Sequence, residues 1–390
     1  MRILVVNAGS SSLKLSVLDG EQVRQAQELP APGATFDPEQ IARAVGELGP
    51  VDAIGHRIVH GGDRFREAVQ VDAGVTAALW ELADLAPLHQ AKSLAALEAV
   101  GSVWPDCPAV ACFDTAFHAT MSAGAATYAL PRAWREQWGL RRFGFHGLSH
   151  AYASRRAAEL LGREGEGLLG HEGDALLGQE GDALRIVTCH LGAGASLAAV
   201  RGGRSVDTTM GFTPLEGLVM ATRSGSVDPG LLLWLLERTQ LTEAQMAHAL
   251  EHESGLLALT GTPDMRVVLE RASAGDADAV LGLEVYVHRL GAGIAAMSAA
   301  LGGLDVLVWT GGVGERASAI RAAATEGLGF LGVHIASDDN AAASGDVDIT
   351  APGAAVASLV ITAREDLEIG RQVRSVLGEP PASGQTTISV

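Results

Sequence analysis

The sequence predicts an α/β protein made of two related halves, and three observations carry that reading. Apolar strand-like runs alternate with helical stretches along the chain, the pattern of α/β folds. Strands ending in turns of small residues recur near residues 3, 185 and 306, as if one unit were used more than once. The 390 residues also exceed what one core comfortably holds, about 250–300 residues.

In chain order, residues 3–6 read as a buried strand. The turn Asn7-Ala8-Gly9-Ser10-Ser11-Ser12 follows, then the alternation Leu13, Leu15, Val17. Strand, small-residue turn and alternating strand predict a hairpin. Residues 185–188 form a second strand before His190-Leu191-Gly192, and residues 306–309 a third before Thr310-Gly311-Gly312. Helical stretches lie at 92–100, 149–161, 229–237 and 276–301. Residues 168–183 contain a tandem octapeptide, LLGHEGDA then LLGQEGDA. It reads as a surface excursion, with a metal site on its Glu, His and Asp as the alternative. The tail 378–390, with Pro-Pro, Gly, Ser and Thr, is expected outside the packed structure.

Composition excludes some functions. Hydrophobic residues make up 47% and charged ones 19%, so the chain is globular. A net charge of −18 argues against nucleic-acid binding and against docking on anionic membranes. Small anions are not excluded, since a few arginines can dominate a local field. Cys107, Cys112 and Cys189 form no CxxC, which fits a reducing compartment. The first apolar run is too short for a signal sequence, and no stretch of 18 uncharged apolar residues predicts a membrane span. A cytoplasmic protein is expected.

The chemistry-bearing residues are each ambiguous alone. The turn at 7–12 with Ser12 and Lys14 is either a plain hairpin or a phosphate cradle, in which small residues let backbone N–H groups approach an anion. Arg57, before Gly61-Gly62, is either a buried ion-pair partner or an anion clamp. Asp114 is a structural cap, a metal ligand or an orienter. His146 is either a core histidine or, given Arg141, Arg142, Gly144 and Gly147 nearby, a ligand-facing one. The Gly-, Thr- and Pro-rich segment 207–229 predicts a long functional loop, with Arg223 as a second candidate anion clamp. Together these features suit a protein that handles several anions at once.

The motifs NAGSSSLK (7–14), GHRIVHGG (55–62), APLH (86–89), FDTAFH (113–118), RRFGFHGLSH (141–150), HLGAGAS (190–196), DTTMGFTPLEG (207–217), TRSGSVDP (222–229) and TGGVGE (310–315) resemble those of the acetokinase (acetate kinase) family. That family belongs to the actin/Hsp70/sugar-kinase superfamily. The motifs occur in the family's order and span nearly the whole chain. The resemblance implies two RNase H-like (actin/Hsp70-type) domains flanking a central cleft. Residues 1–117 plus about 367–390 would form the first, completed by the C-terminal helix. Residues 118–366 would form the second, with the ATP site and the contacts of a homodimer.

The implied activity is reversible transfer of the ATP γ-phosphoryl group to acetate, giving acetyl phosphate and ADP for acetyl-CoA biosynthesis. The resemblance implies Asp114, His146, Arg223 and Arg57 as catalytic. Val59, Leu88, His89 and Pro214 would line the substrate site with Arg57. Ser12, Lys14, His190, Gly192 and Gly194 would approach ATP phosphates. Asp264, Met265 and Arg266, with Gly311, Gly312, Val313 and Gly314, would surround the adenosine. Asn7 and Glu365 would hold Mg²⁺, with Mn²⁺ as an alternative.

The chain departs from the family pattern. Ala193 replaces an Asn, and Gln90-Ala91 replaces Asn-Pro. Ala363-Arg364-Glu365-Asp366 replaces Thr-Asn-Glu-Glu, and the stretch from 20 to 51 is shorter. Losing the Asn donor near the phosphates costs roughly 1.5–3 kcal/mol if its contact is charge-assisted. Arg364 brings a positive charge beside the expected metal ligands. The alternatives are a propionate or butyrate kinase, a sugar-type kinase with Asp114 as base, and a nucleotide-binding relative without turnover.

Overall fold

The structure, a computed structural model, describes residues 1–9, 12–30, 37–83, 87–162 and 183–378, without the side chains of 38 and 87–89. Ser10 and Ser11, residues 168–182 of the octapeptide repeat and the tail from 379 lie outside the described residues, as do the side chains of Leu88 and His89. The chain divides into one unit of residues 1–117 and 364–390 and another of 118–363.

The first unit holds β1 (Arg2–Ala8), β2 (Ser12–Asp19), β3 (Gln22–Pro30), β4 (Ala53–Ile58), β5 (Val69–Gln70) and β6 (Ala109–Phe113), in the order β3-β2-β1-β4-β6-β5. β1, β2 and β3 form an antiparallel meander. β4 and β6 are parallel to β1, and the short β5 closes the edge antiparallel. The expected hairpin is present, but its first strand runs on through Asn7 and Ala8, which tightens the turn.

The second unit holds β7 (Arg185–Leu191), β8 (Ala195–Arg201), β9 (Arg204–Thr208), β10 (Val306–Thr310), β11 (Val347–Asp348) and β12 (Ala357–Val360). Its order, β9-β8-β7-β10-β12-β11, is the first sheet's order again. Strand sense repeats as well: an antiparallel meander, two parallel strands and a two-residue antiparallel edge. Both units are therefore RNase H-like. The strands near 3 and 185 are first strands of the two sheets, whereas that near 306 is a fourth strand. Its counterpart β4 also runs into paired glycines, Gly61-Gly62.

Each central strand is apolar on both faces because helices cover both. In the first unit, Leu4 and Val6 of β1 and Leu13, Leu15 and Val17 of β2 pack with Ile41 and Val45 of the helix Pro38–Glu47 and Ala96 and Val100 of the helix Pro87–Val103. The helix Glu365–Val376 packs on β1, β4 and β6. This helix moves the chain's return to the first unit to Arg364, three residues before the expected 367. Glu365 is already tied to Asn7 of β1, so it belongs with the first sheet rather than with 118–366. In the second unit the helix Ala277–Leu301 packs on β7, β8 and β9. It is long and apolar enough to cross a membrane by length and composition, and its Tyr286, Leu290, Ile294 and Met297 are buried.

Gly55 in the middle of β4 is what lets the helix Glu365–Val376 approach. A Cβ there would stand 2.5 Å from Ile369 Cγ2 and 2.8 Å from Val373 Cγ2. Both are branched side chains with no exposure. Gly55→Ala is expected to lower stability by about 1–3 kcal/mol through overpacking, read as a lower denaturant midpoint. A midpoint equal to wild type would show that the helix does not pack as described.

Candidate active site

In the first unit, the ends of β1, β4 and β6 bring Asn7, Arg57 and Asp114 together. Asp114 follows β6, and its N–H donates to Ile58 O of β4 at 3.0 Å. Arg57 donates from Nε and Nη2 to the Asp114 carboxylate, Nη2 reaching Oδ2 at 2.6 Å. Its Nη1 donates to Asn7 Oδ1 at 3.0 Å and lies 3.8 Å from Glu365 Oε2. Asn7 Nδ2 donates to Glu365 Oε2 at 2.9 Å. Burial works against the Arg57 charge, but Asp114 and Glu365 outweigh it and push the pKa up. Burial also pushes the Asp114 carboxyl above the usual carboxylate range, with Arg57 opposing.

Asn7 and Glu365 offer an amide oxygen and a carboxylate. These are the hard oxygen donors that Mg²⁺ takes, one or two from protein, the rest from water and phosphate. Among the described residues no group of three His, Cys, Asp or Glu could hold a metal on its own. Arg364 donates to both Asp366 carboxylate oxygens at 2.9 Å, so its added charge is met locally. Ser12 Oγ donates to Glu28 at 2.5 Å, and Lys14 is exposed opposite Asn7 on the hairpin. Val59 is buried.

In the second unit, His146 stands immediately before the helix Gly147–Leu160, at φ 58°, ψ 21°. It is the one non-glycine residue at positive φ among the described residues. L-residues avoid this conformation, and such outliers cluster at functional sites. Gly144, at φ 73°, makes room before it: a Cβ there would lie 2.5 Å from Thr208 and 2.7 Å from His118.

His146 Nδ1 contacts Ser196 Oγ at 2.9 Å. Its ring lies 4.3 Å from that of His190, whose Nδ1 meets Ser149 Oγ at 2.8 Å. At Gly194 a Cβ would come within 3.2 Å of His146 Nε2 and 3.5 Å of Arg223 Nη1. Glycine thus lets the 192–194 turn approach both groups. Arg223 also donates to Pro214 O at 3.4 Å, and burial pushes its pKa down. Ala193 presents an exposed side chain at the same turn.

The segment 209–228 contains no helix or strand, as expected. Arg142 holds it by donating to Thr208, Thr209 and Met210 carbonyls and to Glu216, which also accepts from Tyr128. Gly311 (φ 77°), Gly312, Val313 and Gly314 open the helix Gly311–Arg316. Asp264 caps the helix Met265–Ser273 and pairs with Arg266, whose side chain is exposed. The structure thus gathers Asn7, Arg57, Asp114 and Glu365 in one unit and His146, His190, Gly192, Gly194, Pro214 and Arg223 in the other. Sequence reasoning gave no role to His150 and Thr188 and set Ser196 only at the end of the Gly192–Ser196 turn expected near ATP phosphates; all three bond behind His146. Only the i, i+4 spacing of His146 and His150 hinted at them.

A doubled RNase H-like fold with Asn7, Arg57 and Asp114 at strand ends and His146 and Arg223 off the sheet fits a phosphotransferase. The sequence profile described as the Acetokinase family matches residues 34–371, and the chain belongs to that family of kinases that transfer phosphate from ATP to a carboxylate. It is 41% identical to an acetate kinase from Gloeobacter violaceus over 95% of this chain and 98% of that protein. It is 42% identical to an acetate kinase from Synechococcus sp. over 97% and 99%. The acetate kinase structure from Porphyromonas gingivalis superposes with a TM-score of 0.85 at 32% identity, over 96% of this chain and 99% of that one. A propionate kinase structure from Francisella tularensis gives 0.85 at 31% over the same shares.

Behind the site, His118 is fully buried, contacting Ser205 Oγ at 2.8 Å and Phe145 O at 3.0 Å. Burial lowers its pKa to about 4. Below the ordinary histidine value of about 6.5 the unfolded chain takes a proton that the folded chain refuses. This contribution is therefore whole above pH 6.5 and shrinks as pH falls towards 4, by about 3 kcal/mol in all. Unfolding free energy measured across that range is expected to fall less steeply in His118→Gln, by about one proton per molecule. Parallel curves for variant and wild type would refute a neutral His118.

Proposed function

We propose that this protein is an acetate kinase, transferring the ATP γ-phosphoryl group reversibly to acetate with Mg²⁺ bound. The observation that carries this reading is the convergence of His146 Nε2 and Arg223 Nη1 on the Gly194 turn, in a chain about 40% identical to acetate kinases over nearly its whole length.

A short carboxylate is ionised at pH 7, its pKa being about 4–5. It is already a nucleophile and needs no strong base. The obstacle is repulsion between the carboxylate and the triphosphate. Catalysis then rests on in-line positioning and charge neutralisation. Within the second unit, His146 and Arg223 donate to the phosphoryl group in flight; within the first, Asp114 holds Arg57 in orientation. Asn7 and Glu365 are the residues that would hold Mg²⁺, which neutralises phosphate oxygens when bound. The small residues of the 192–194 turn let a phosphate approach its backbone, although the Gly192 N–H is itself bonded to Gly194 O at 2.9 Å.

Trapping the product as a hydroxamate, with formate, acetate, propionate and butyrate in turn, tests the reading. Acetate is expected to give the highest kcat/KM, with propionate roughly 10–200-fold lower for one extra methylene. Arg223→Ala is expected to lower kcat by roughly 10²–10³. Acyl phosphate from none of the four would refute a carboxylate kinase. Preference for propionate would establish the second reading, which the likeness to a propionate kinase supports.

A homodimer is part of the proposal. No residue of the helix Pro229–Arg238 is buried, and it exposes Leu231, Leu233 and Trp234, the last at 55%. Contiguous exposed apolar groups of this kind mark interfaces. Light scattering is expected to give twice the 40.2 kDa chain mass for wild type and a lower mass for Trp234→Arg. A monomeric wild type would remove this part.

A further inference from the structure

A buried chain of polar groups lies behind His146. His150 lies one helical turn after His146, and its N–H donates to His146 O at 3.0 Å. Ser196 of β8 bridges the two rings, with Oγ 2.9 Å from His146 Nδ1 and 2.8 Å from His150 Nε2. The far nitrogen of His150, Nδ1, meets Thr188 Oγ1 of β7 at 2.7 Å. Ser196, His150 and Thr188 are all without exposure. The strand register explains the meeting: Thr188 and His190 alternate on one face of β7, paired with Ala198 and Ser196 of β8.

A serine hydroxyl has one hydrogen and cannot donate to both rings. Two settings keep the Ser196 hydrogen inside the chain with neutral rings. In one, Thr188 donates to His150 Nδ1, His150 Nε2–H donates to Ser196, and Ser196 donates to His146 Nδ1. His146 then carries its proton on Nε2, which lies within 3.2 Å of where a Cβ at Gly194 would stand. In the other setting every hydrogen is reversed, Thr188 turns to Ala198 O at 3.5 Å, and Nε2 offers a lone pair. That bond is at the limit of a real contact. An anion at Nε2 attracts the N–H and repels the lone pair, so the first setting suits a phosphate-bearing ligand. Burial, and secondarily the neighbouring His118 and His190, keep the His150 pKa low, so this ring stays neutral.

We propose that Thr188, His150 and Ser196 form a buried positioning relay that ends on His146 Nδ1 and keeps the proton on His146 Nε2. These three are positioning residues, acting through His146 rather than on substrate. The same hydrogen bonds fix the ring's tilt, which the left-handed backbone at 146 alone does not. The inference rests on the reading of His146 as a phosphoryl donor.

Thr188→Val replaces the terminal hydroxyl by a methyl of similar size, whereas Thr188→Ser keeps the hydroxyl. Ser196→Ala cuts the chain next to His146. Nitrogen-15 NMR of histidine side chains, with a non-hydrolysable ATP analogue bound, reports the His146 tautomer directly. Wild type and Thr188→Ser are expected to show the Nε2–H form. Thr188→Val and Ser196→Ala are expected to show a mixture, with kcat lowered roughly 10-fold or more and acetate KM within about 2-fold. A pure Nε2–H tautomer and unchanged kcat in either folded variant would overturn the relay. An inactive wild type would overturn the kinase reading instead, and the tautomer measurement would still decide the relay. If Ser196→Ala does not fold, the two Thr188 variants decide it alone.

Discussion

Arg57 has no apolar solution. It stands at the end of a central strand, 15% exposed in its side chain, and a guanidinium there requires oxygen partners. Asp114 supplies two, at the end of the neighbouring strand, and Asn7 a third. Removing one partner from such a pair strands the other charge and costs roughly 3–5 kcal/mol where the site is buried. The pair thus clamps β4 to β6, and Asn7 extends the clamp to β1 and Glu365. Asp114 and Asn7 thereby hold Arg57 in one orientation.

In the second unit, Arg223 and His146 come close to the 192–194 turn. Burial lowers the Arg223 pKa, with the Glu251 carboxylate opposing. The left-handed backbone at His146 has a cost of roughly 1–2 kcal/mol, sustained by the Gly144 approach on one side and the helix on the other. Strain of this kind persists only where surrounding packing fixes it, and the Ser196 bond supplies the side-chain part.

Much of this was legible in the sequence. Strand ends were readable because glycine turns punctuate them, and Arg57, Asp114 and His146 stood out as polar residues beside glycine or between apolar ones. What was hidden depended on register. Nothing in the order of residues says that Ser196 lies opposite His190, which the β7–β8 pairing decides, or that Thr188 lies beside His150, which the packing of the helix Gly147–Leu160 on β7 decides. The β4 repeat of the strand-and-glycine unit was missed for a similar reason. Val59 and His60 separate its strand from Gly61-Gly62, which only the shared sheet order aligns with Gly311-Gly312. The charge of Arg364 was visible, but its neutralisation two residues on depends on side-chain geometry at the start of a helix.

On the proposed function, the doubled sheet serves two chemistries from one scaffold. The first strand of the first sheet ends at Asn7 and Ala8, that of the second at His190 and Leu191. The fourth strand brings Arg57 in one and Trp309-Thr310 in the other. The strand beyond it leads to Asp114 in one and to Ile361-Thr362 in the other. The same strand order thus delivers a charged cluster in the first unit and uncharged strand ends in the second. There the charge comes instead from residues off the sheet, His146 before a helix and Arg223 in a loop. A phosphoryl group's partners must adjust as charge moves, whereas a metal's ligands gain from rigidity. Strand ends suit the second task, and the helix-start and loop positions suit the first, provided something buried, such as Ser196, holds the ring in place.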